Sequence, residues 1–185
     1  VGEARAAEIA TVIAGQGATR DALVYLRGLG VGPATAMKIV KKYGEDTIDQ
    51  VRSDPYQLHT GIWGIGWKTC DDVALRSGMR RDDPQRIDAG ILHALGDSVE
   101  DGGHLHLTDV QLTAIAAGLL QTDKRTIGPR IEFLAEHGMV AREVLGRRGP
   151  CVMLPWIQAS EVEAAERLAL LCLTPCAEHV AAGDR

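Results

Sequence analysis

Two glycine turns, Gly30-Val31-Gly32 and Gly64-Ile65-Gly66, have the residue types and spacing best suited to chemistry, and that chemistry is anion binding. Glycine admits positive φ and presents no side chain to an approaching ligand. Each turn precedes a stretch patterned as a helix, and a helix start offers unpaired N–H groups and the positive end of a dipole. Turn and helix start together make a seat for a phosphate. Val31 and Ile65, the apolar residue inside each turn, are expected to point inward and hold its shape. Thr35, Lys38, Lys41 and Lys42 follow the first turn; Lys68 and Thr69 follow the second. Such groups bind a phosphate backbone rather than base edges, so the expected binding is independent of base sequence. The turns lie thirty-four residues apart and form an internal repeat. Two seats on one body suit successive phosphates of a nucleic acid.

Other reactive groups have simpler readings. His93, His104 and His106 lack the carboxylate or cysteine spacing that would complete a metal set, so no metal is expected. Cys70, Cys151, Cys172 and Cys176 contain no C-x-x-C pair, and free thiols in a reducing cytoplasm are the expectation. Gly64-Ile65-Gly66-Trp67-Lys68-Thr69 also resembles the hairpin of base-excision glycosylases, a likeness that implies a catalytic Asp downstream, and Asp82, Asp83 and Asp88 lie at a plausible distance. Asp83 before Pro84 reads better as a helix cap, and no iron–sulfur cysteine spacing is present. Trp63 and Trp67 flank the second turn and could stack on bases of a single strand. With only 4% aromatic residues in the chain, packing against the neighbouring helix is the favoured expectation. Arg125 and Arg130 open a later helix that could meet a major groove, but Asp123, Glu132 and Glu136 oppose that.

The elements that must position these residues are mostly short helices. A helix over Glu3–Ala14 is followed by a Gly15-Gln16-Gly17 break, and a second helix runs Arg20–Arg27. Pro33 suits the first turn of the helix after the first glycine turn, which Gly44 ends. A short helix over Asp46–Arg52 ends before Pro55, and Trp67–Ser77 forms the helix after the second turn, with Gly78 as its cap. Asp83-Pro84 starts a helix carrying Ile87, Ile91, Leu95 and Val99 at four-residue steps, which Gly102-Gly103 stops. His104–Leu107 alternates like a strand, with both histidines on one face. Thr108 and Gln111 form a capping box for a helix to about Leu120. Thr126–His137 is a further helix, in which Pro129 is tolerable only within the first turn. Met139–Leu145 and Pro150–Leu154 form a hairpin around Gly146–Gly149, in the helix, helix, hairpin order of a winged helix-turn-helix. A last helix spans Ser160–Leu171 before a polar tail.

Composition bounds the class. The 185 residues include 45% hydrophobic and 24% charged types, enough for a globular core built from Ala, Leu, Ile and Val. No run approaches eighteen apolar residues and no charged-then-apolar leader is seen, so no membrane span or secretion signal is expected. The chain opens on Val1, which predicts a piece of a longer protein. A net charge of −5 argues against a surface that grips nucleic acid everywhere. Between Arg27 and Arg86, however, ten Lys/Arg face eight Asp/Glu, against ten and seventeen elsewhere. The basic block coincides with the two glycine turns.

Leu26–Val40 resembles a helix-hairpin-helix motif, and Trp63-Gly64-Ile65-Gly66-Trp67-Lys68-Thr69 resembles a second. Gly28–Gly44, Asp54-Pro55-Tyr56-Gln57-Leu58 and Gly64–Asp71 together resemble the amino-terminal region of RecD/TraA-type DNA helicases. Arg86–Leu95, Gly103-His104-Leu105 and Val152-Met153-Leu154-Pro155-Trp156 continue the likeness, which covers about residues 20–172. The resemblance implies an ATP-dependent, 5′-to-3′ superfamily-1 helicase of DNA repair and recombination, cytoplasmic and nucleoid-associated in a bacterium, with motor domains joined in cis. ATP and Mg would belong to that motor. This chain has no G-x-x-x-x-G-K-[ST] loop and is expected to be non-catalytic, with no cofactor of its own. The expected fold is mainly α: an N-terminal helix (1–19), a tandem helix-hairpin-helix domain (20–101), a winged-helix-like domain (104–157), and a C-terminal helix and tail (158–185). The expected function is sequence-independent DNA-backbone binding through Gly30, Val31, Gly32, Thr35, Lys38, Gly64, Ile65, Gly66, Lys68 and Thr69. The rival is a protein-interaction or regulatory module in which the hairpins are scaffold.

Overall fold

The computed structural model describes residues 17–173, mainly α-helical with one small antiparallel sheet. The expected Glu3–Ala14 helix and the polar tail beyond Leu173 lie outside the described residues. The chain divides into two units. One runs to His93 and includes Leu120–Thr122; the other takes Ala94–Leu119 and the residues from Asp123 onward.

The first unit is a set of short helices. Helix α1 covers 17–28, and α2 covers Pro33–Tyr43 with Pro33 at its start and Gly44 at its end. A 3-10 turn, Gly44–Asp46, leads into α3, Thr47–Ser53. Then come α4, Gln57–Gly61, which the sequence reading did not anticipate, and α5, Trp67–Arg76. Helix α6, Pro84–Glu100, belongs to this unit as far as His93 and begins behind Asp83, whose carboxylate accepts from the Gln85 N–H at 2.9 Å. Apart from Tyr56 and Trp67, the core of this unit is aliphatic, in keeping with the scarcity of aromatics. Ala22 and Leu26 of α1, Ala36 and Ile39 of α2, Val51, Leu58, Val73, Ala74, Ile87 and Ile91 are all buried.

In the second unit, β1 (Leu107–Thr108) is followed by α7 (Asp109–Leu120) and α8 (Lys124–Glu136). The hairpin β2 (Ala141–Val144) and β3 (Pro150–Met153) comes next, then α9 (Pro155–Leu173). The sheet order is β1-β3-β2, with Leu107 opposite Val152 and Arg142 also opposite Val152. Central β3 buries Cys151, Val152 and Met153, as a strand paired on both edges must. The capping box forms as expected: Thr108 N–H donates to Gln111 Oε1 at 3.0 Å, and Gln111 N–H donates to Thr108 Oγ1 at 3.3 Å.

Three expectations about elements need correction. The strand expected over His104–Leu107 is confined to Leu107–Thr108, because β3 offers partners only there, so His104 and His106 precede it. Helix α8 starts at Lys124 behind the Asp123 cap, so Pro129 lies inside it and not in its first turn. The helix forgoes the one bond that the Pro129 nitrogen cannot donate. Helix α9 starts at Pro155 rather than Ser160, since proline suits a first helical position and buried Ile157 anchors that turn. Among the described residues no helix is long and apolar enough to cross a membrane.

Candidate nucleic-acid interface

Each glycine turn joins two helices, and its two glycines do different things. At the first, α1 ends with Gly30 at φ +81, the Gly30 N–H on the Arg27 carbonyl (2.9 Å) and the Val31 N–H on the Leu26 carbonyl (3.0 Å). This is the left-handed helix ending that favours glycine. At the second, Ile65 N–H donates to the Ile62 carbonyl at 3.3 Å across a turn whose third residue, Gly64, sits at φ +84. Val31 and Ile65 are buried, as their inward orientation requires. Gly32 and Gly66 differ from the sequence expectation of positive φ: they are extended, at φ −63, ψ 152 and φ −79, ψ 159. Any residue could adopt those angles.

What Gly32 and Gly66 contribute is open space at a helix start. They are the N-caps of α2 and α5, and neither helix has a side-chain cap. Serine or aspartate there would occupy the first-turn N–H groups. A Cβ added at either glycine would meet no atom within 4 Å. The Thr69 N–H already donates to the Gly66 carbonyl at 3.1 Å, and the earlier amides of each helix start, with no side-chain cap, can accept an anion from outside. Thr35 and Thr69 are half-buried on the first turns, and Lys68 is exposed on the first turn of α5.

The cations are exchanged between the hairpins. Lys38, expected to serve its own turn, reaches the other: its ammonium would stand 3.4 Å from a Cβ at Gly64 and lies 6.0 Å from the Trp63 ring centroid. Lys42, further along α2, donates to the Gly61 carbonyl just before the second turn. In return, Arg76 at the end of α5 donates to the Leu29 carbonyl at 3.1 Å. Its guanidinium fills the place of a Gly30 Cβ, with Nη1 1.6 Å from that position. A side chain at Gly30 is thus disfavoured by φ, and it would also push the flexible Arg76 guanidinium off the Leu29 carbonyl. Arg76 was missed in the sequence, although it stands twelve residues after Gly64, the offset of Lys42 from Gly30. The repeat register held that signal.

Behind the second hairpin is a ring stack that sequence reasoning also missed. Trp67 lies between Tyr56 (centroids 4.9 Å apart) and His93 (4.8 Å), and His59 meets His93 edge-on at 5.1 Å. His59 Nδ1 donates to the Ile65 carbonyl at 2.9 Å, fixing the turn to the stack. Trp67 therefore packs, as expected, whereas Trp63 does not: it is 93% exposed.

A buried ion pair locks α5 to α6. Arg86, 2% exposed, grips Asp71 through Nε–Oδ1 and Nη2–Oδ2, both 2.8 Å, while Nη1 donates to the carbonyls of Arg81 and Leu120. Tyr56 donates its hydroxyl to Asp71 Oδ1 at 2.8 Å. Burial, followed by Asp71, raises the Tyr56 hydroxyl far above its ordinary range, and burial pushes the Cys70 thiol up to about 12. A spacing of fifteen residues between Asp71 and Arg86 carries no periodic signal.

The remaining candidates have structural partners. Asp82 pairs with Arg80, which holds its carboxyl below the usual range, and Asp83 caps α6. His93 belongs to the ring stack, and His106 Nε2 lies 3.0 Å from Arg148. Arg130 lies over the Phe133 ring at 4.0 Å, and the backbone N–H of exposed Arg125 donates to the Asp123 cap.

Comparison with known proteins gives a concordant result. The family model described as the HHH domain of the ATP-dependent RecD2 DNA helicase matches residues 15–106. The ATP-dependent RecD2 DNA helicase of Deinococcus radiodurans is 28% identical over 178 residues, which cover 91% of this chain and 25% of that protein. The chain thus spans about a quarter of the length of this curated relative. Residues 15–106, which hold both glycine turns and the helices they join, belong to the helix-hairpin-helix domain family of RecD2-type helicases, making this chain an amino-terminal RecD-type helicase region.

Proposed function

We propose that the two hairpins hold DNA by its phosphate backbone, without regard to base sequence, as the accessory amino-terminal region of an ATP-dependent 5′-to-3′ helicase. One phosphate sits on the N-terminus of α2, at Gly30, Val31, Gly32 and Thr35. A second sits on the N-terminus of α5, at Gly64, Ile65, Gly66, Lys68 and Thr69, with Lys38 supplied from α2. The observation that carries this reading is the pair of helix starts capped by glycine, open to solvent, with a lysine of one motif reaching the turn of the other. The wider setting is proposed from the family: motor domains in cis that bind ATP and Mg, in DNA repair and recombination, in the bacterial cytoplasm at the nucleoid. In the second unit, the order β1-β3-β2 with α7 and α8 between β1 and β2 supports a winged-helix-like domain over about 104–157. The exposed Val162, Leu168, Leu171 and Leu173 of α9 favour protein docking by that helix, with the motor domains as its partner.

The test is the double variant Lys38→Ala with Lys68→Ala, titrated with two unrelated oligonucleotides at several salt concentrations. Both lysines are exposed, so melting should stay near wild type. Affinity should fall about equally for both sequences, and log affinity against log salt should flatten by about 0.7–0.9 per lost contact. Wild-type affinity with an unchanged slope refutes the phosphate seats and favours the hairpins as scaffold.

A further inference from the structure

We propose that Trp63 is a stacking platform for an unpaired base, so that the second hairpin takes single-stranded DNA in preference to duplex. The inference deepens the backbone-binding reading and rests on it. Trp63 is the most exposed large apolar side chain among the described residues, at 93%. Trp67, four residues on, shows what this fold does with an indole it needs for packing: it is buried between Tyr56 and His93. Trp63 shares none of those ring contacts, and Lys38 is the cation set against its ring. In a chain with three tryptophans, one displayed on a turn beside an uncapped helix start is poorly explained by folding.

The neighbourhood matches one nucleotide part by part. Gly66 opens the N-terminal amides of α5 to a phosphate, and Trp63 stands three residues before that cap. Lys38, 6.0 Å from the Trp63 centroid and close to Gly64, adds positive charge beside the ring. A flat apolar ring next to a cation and an anion seat suits a base joined to its phosphate. In duplex DNA the base faces are covered by their neighbours, and only an unstacked strand can offer one to an indole. Stacking tolerates any base, which agrees with sequence-independent binding. The first turn has Leu29, which is buried, where the second has Trp63, so the preference belongs to the second hairpin alone.

The full chain, as wild type, Trp63→Ala and Trp63→Phe, is titrated with three ligands of equal length: a mixed-sequence single strand, an abasic single strand and a blunt duplex. Trp63→Ala should weaken binding of the base-bearing single strand on the order of tenfold. It should leave the abasic strand, the duplex and the salt slope as in wild type, and Trp63→Phe should restore most of the loss. Melting should not change, given the exposure of the side chain. The proposal is overturned if Trp63→Ala binds the single strand like wild type, as it would were Trp63 a protein-docking residue. It is also overturned if all three ligands weaken alike, or if wild type binds base-bearing and abasic strands equally. If the lysine double variant loses affinity and slope while Trp63→Ala loses nothing, this inference alone falls. If wild type binds none of the three ligands at low salt, the backbone reading falls with it.

Discussion

Replacing Gly64 by Ala and Gly66 by Ser separates folding from binding at two positions only two residues apart. Gly64 holds φ +84, where a Cβ costs about 1–2 kcal/mol, and the added methyl would lie 3.4 Å from the Lys38 ammonium, a flexible end that can yield. The loss is therefore conformational. For a unit of this size it should lower Tm by roughly 4–8 °C per kcal/mol. Gly66 is already extended at φ −79 and ψ 159, the geometry of a serine cap, and its Cβ direction is open. Gly66→Ser should leave stability unchanged or raise it by a few tenths of a kcal/mol, on the order expected for serine over glycine at a cap. The new hydroxyl, however, would take the Lys68 N–H that the proposed phosphate needs, the Thr69 N–H being already bonded to the Gly66 carbonyl. Losing a hydrogen bond to a charged group, about 1.5–3 kcal/mol, would weaken DNA binding roughly 10- to 150-fold. Urea unfolding and oligonucleotide titration of both variants form the assay. Gly66→Ser destabilised as much as Gly64→Ala, or Gly66→Ser with wild-type DNA affinity, refutes the division of roles between the two glycines.

Three further outcomes follow from the buried groups behind the hairpins. Arg86→Met should lower the unfolding free energy by about 3–5 kcal/mol in urea, because the Asp71 carboxylate loses both guanidinium hydrogen bonds and retains that of Tyr56; a loss below 1 kcal/mol would show that the ion pair does not hold α5 to α6. Cys70, buried and with its thiol raised from 9.0 to about 12, should resist a thiol reagent at pH 8 until the chain unfolds, while exposed Cys172 reacts at once. Since its folded pKa is the higher one, its contribution is complete below about pH 9 and is lost as pH rises towards 12. Cys70→Ala should flatten that alkaline decline, and an unchanged slope between pH 9 and 11 counts against the assignment.

The repeat of the glycine turns, the helices that follow them, the Asp83 and Thr108 caps and the order of the hairpin strands were all legible in the sequence. Each depends on residues within a few positions of one another: a proline at a helix start, a glycine at its end, an apolar stripe at helical spacing. The conformations of Gly32 and Gly66 were not legible, because the sequence says where φ may be positive and not where it is. That the turns favour glycine at Gly30 and Gly64 is decided by backbone geometry, and at Gly30 a side chain would also displace Arg76, which arrives from forty-six residues away. The exchange of Lys38 and Arg76 between hairpins is likewise tertiary, since a side chain's reach depends on which turn the fold brings opposite it. Trp63 and Trp67 make the same point. Both are indoles beside one turn, and only the packing of α5 and α6 around Tyr56 and His93 decides that one is buried and the other faces solvent. Local chemistry thus determined the elements and the proposed phosphate seats, while contacts between residues far apart in the chain determined which side chains complete them.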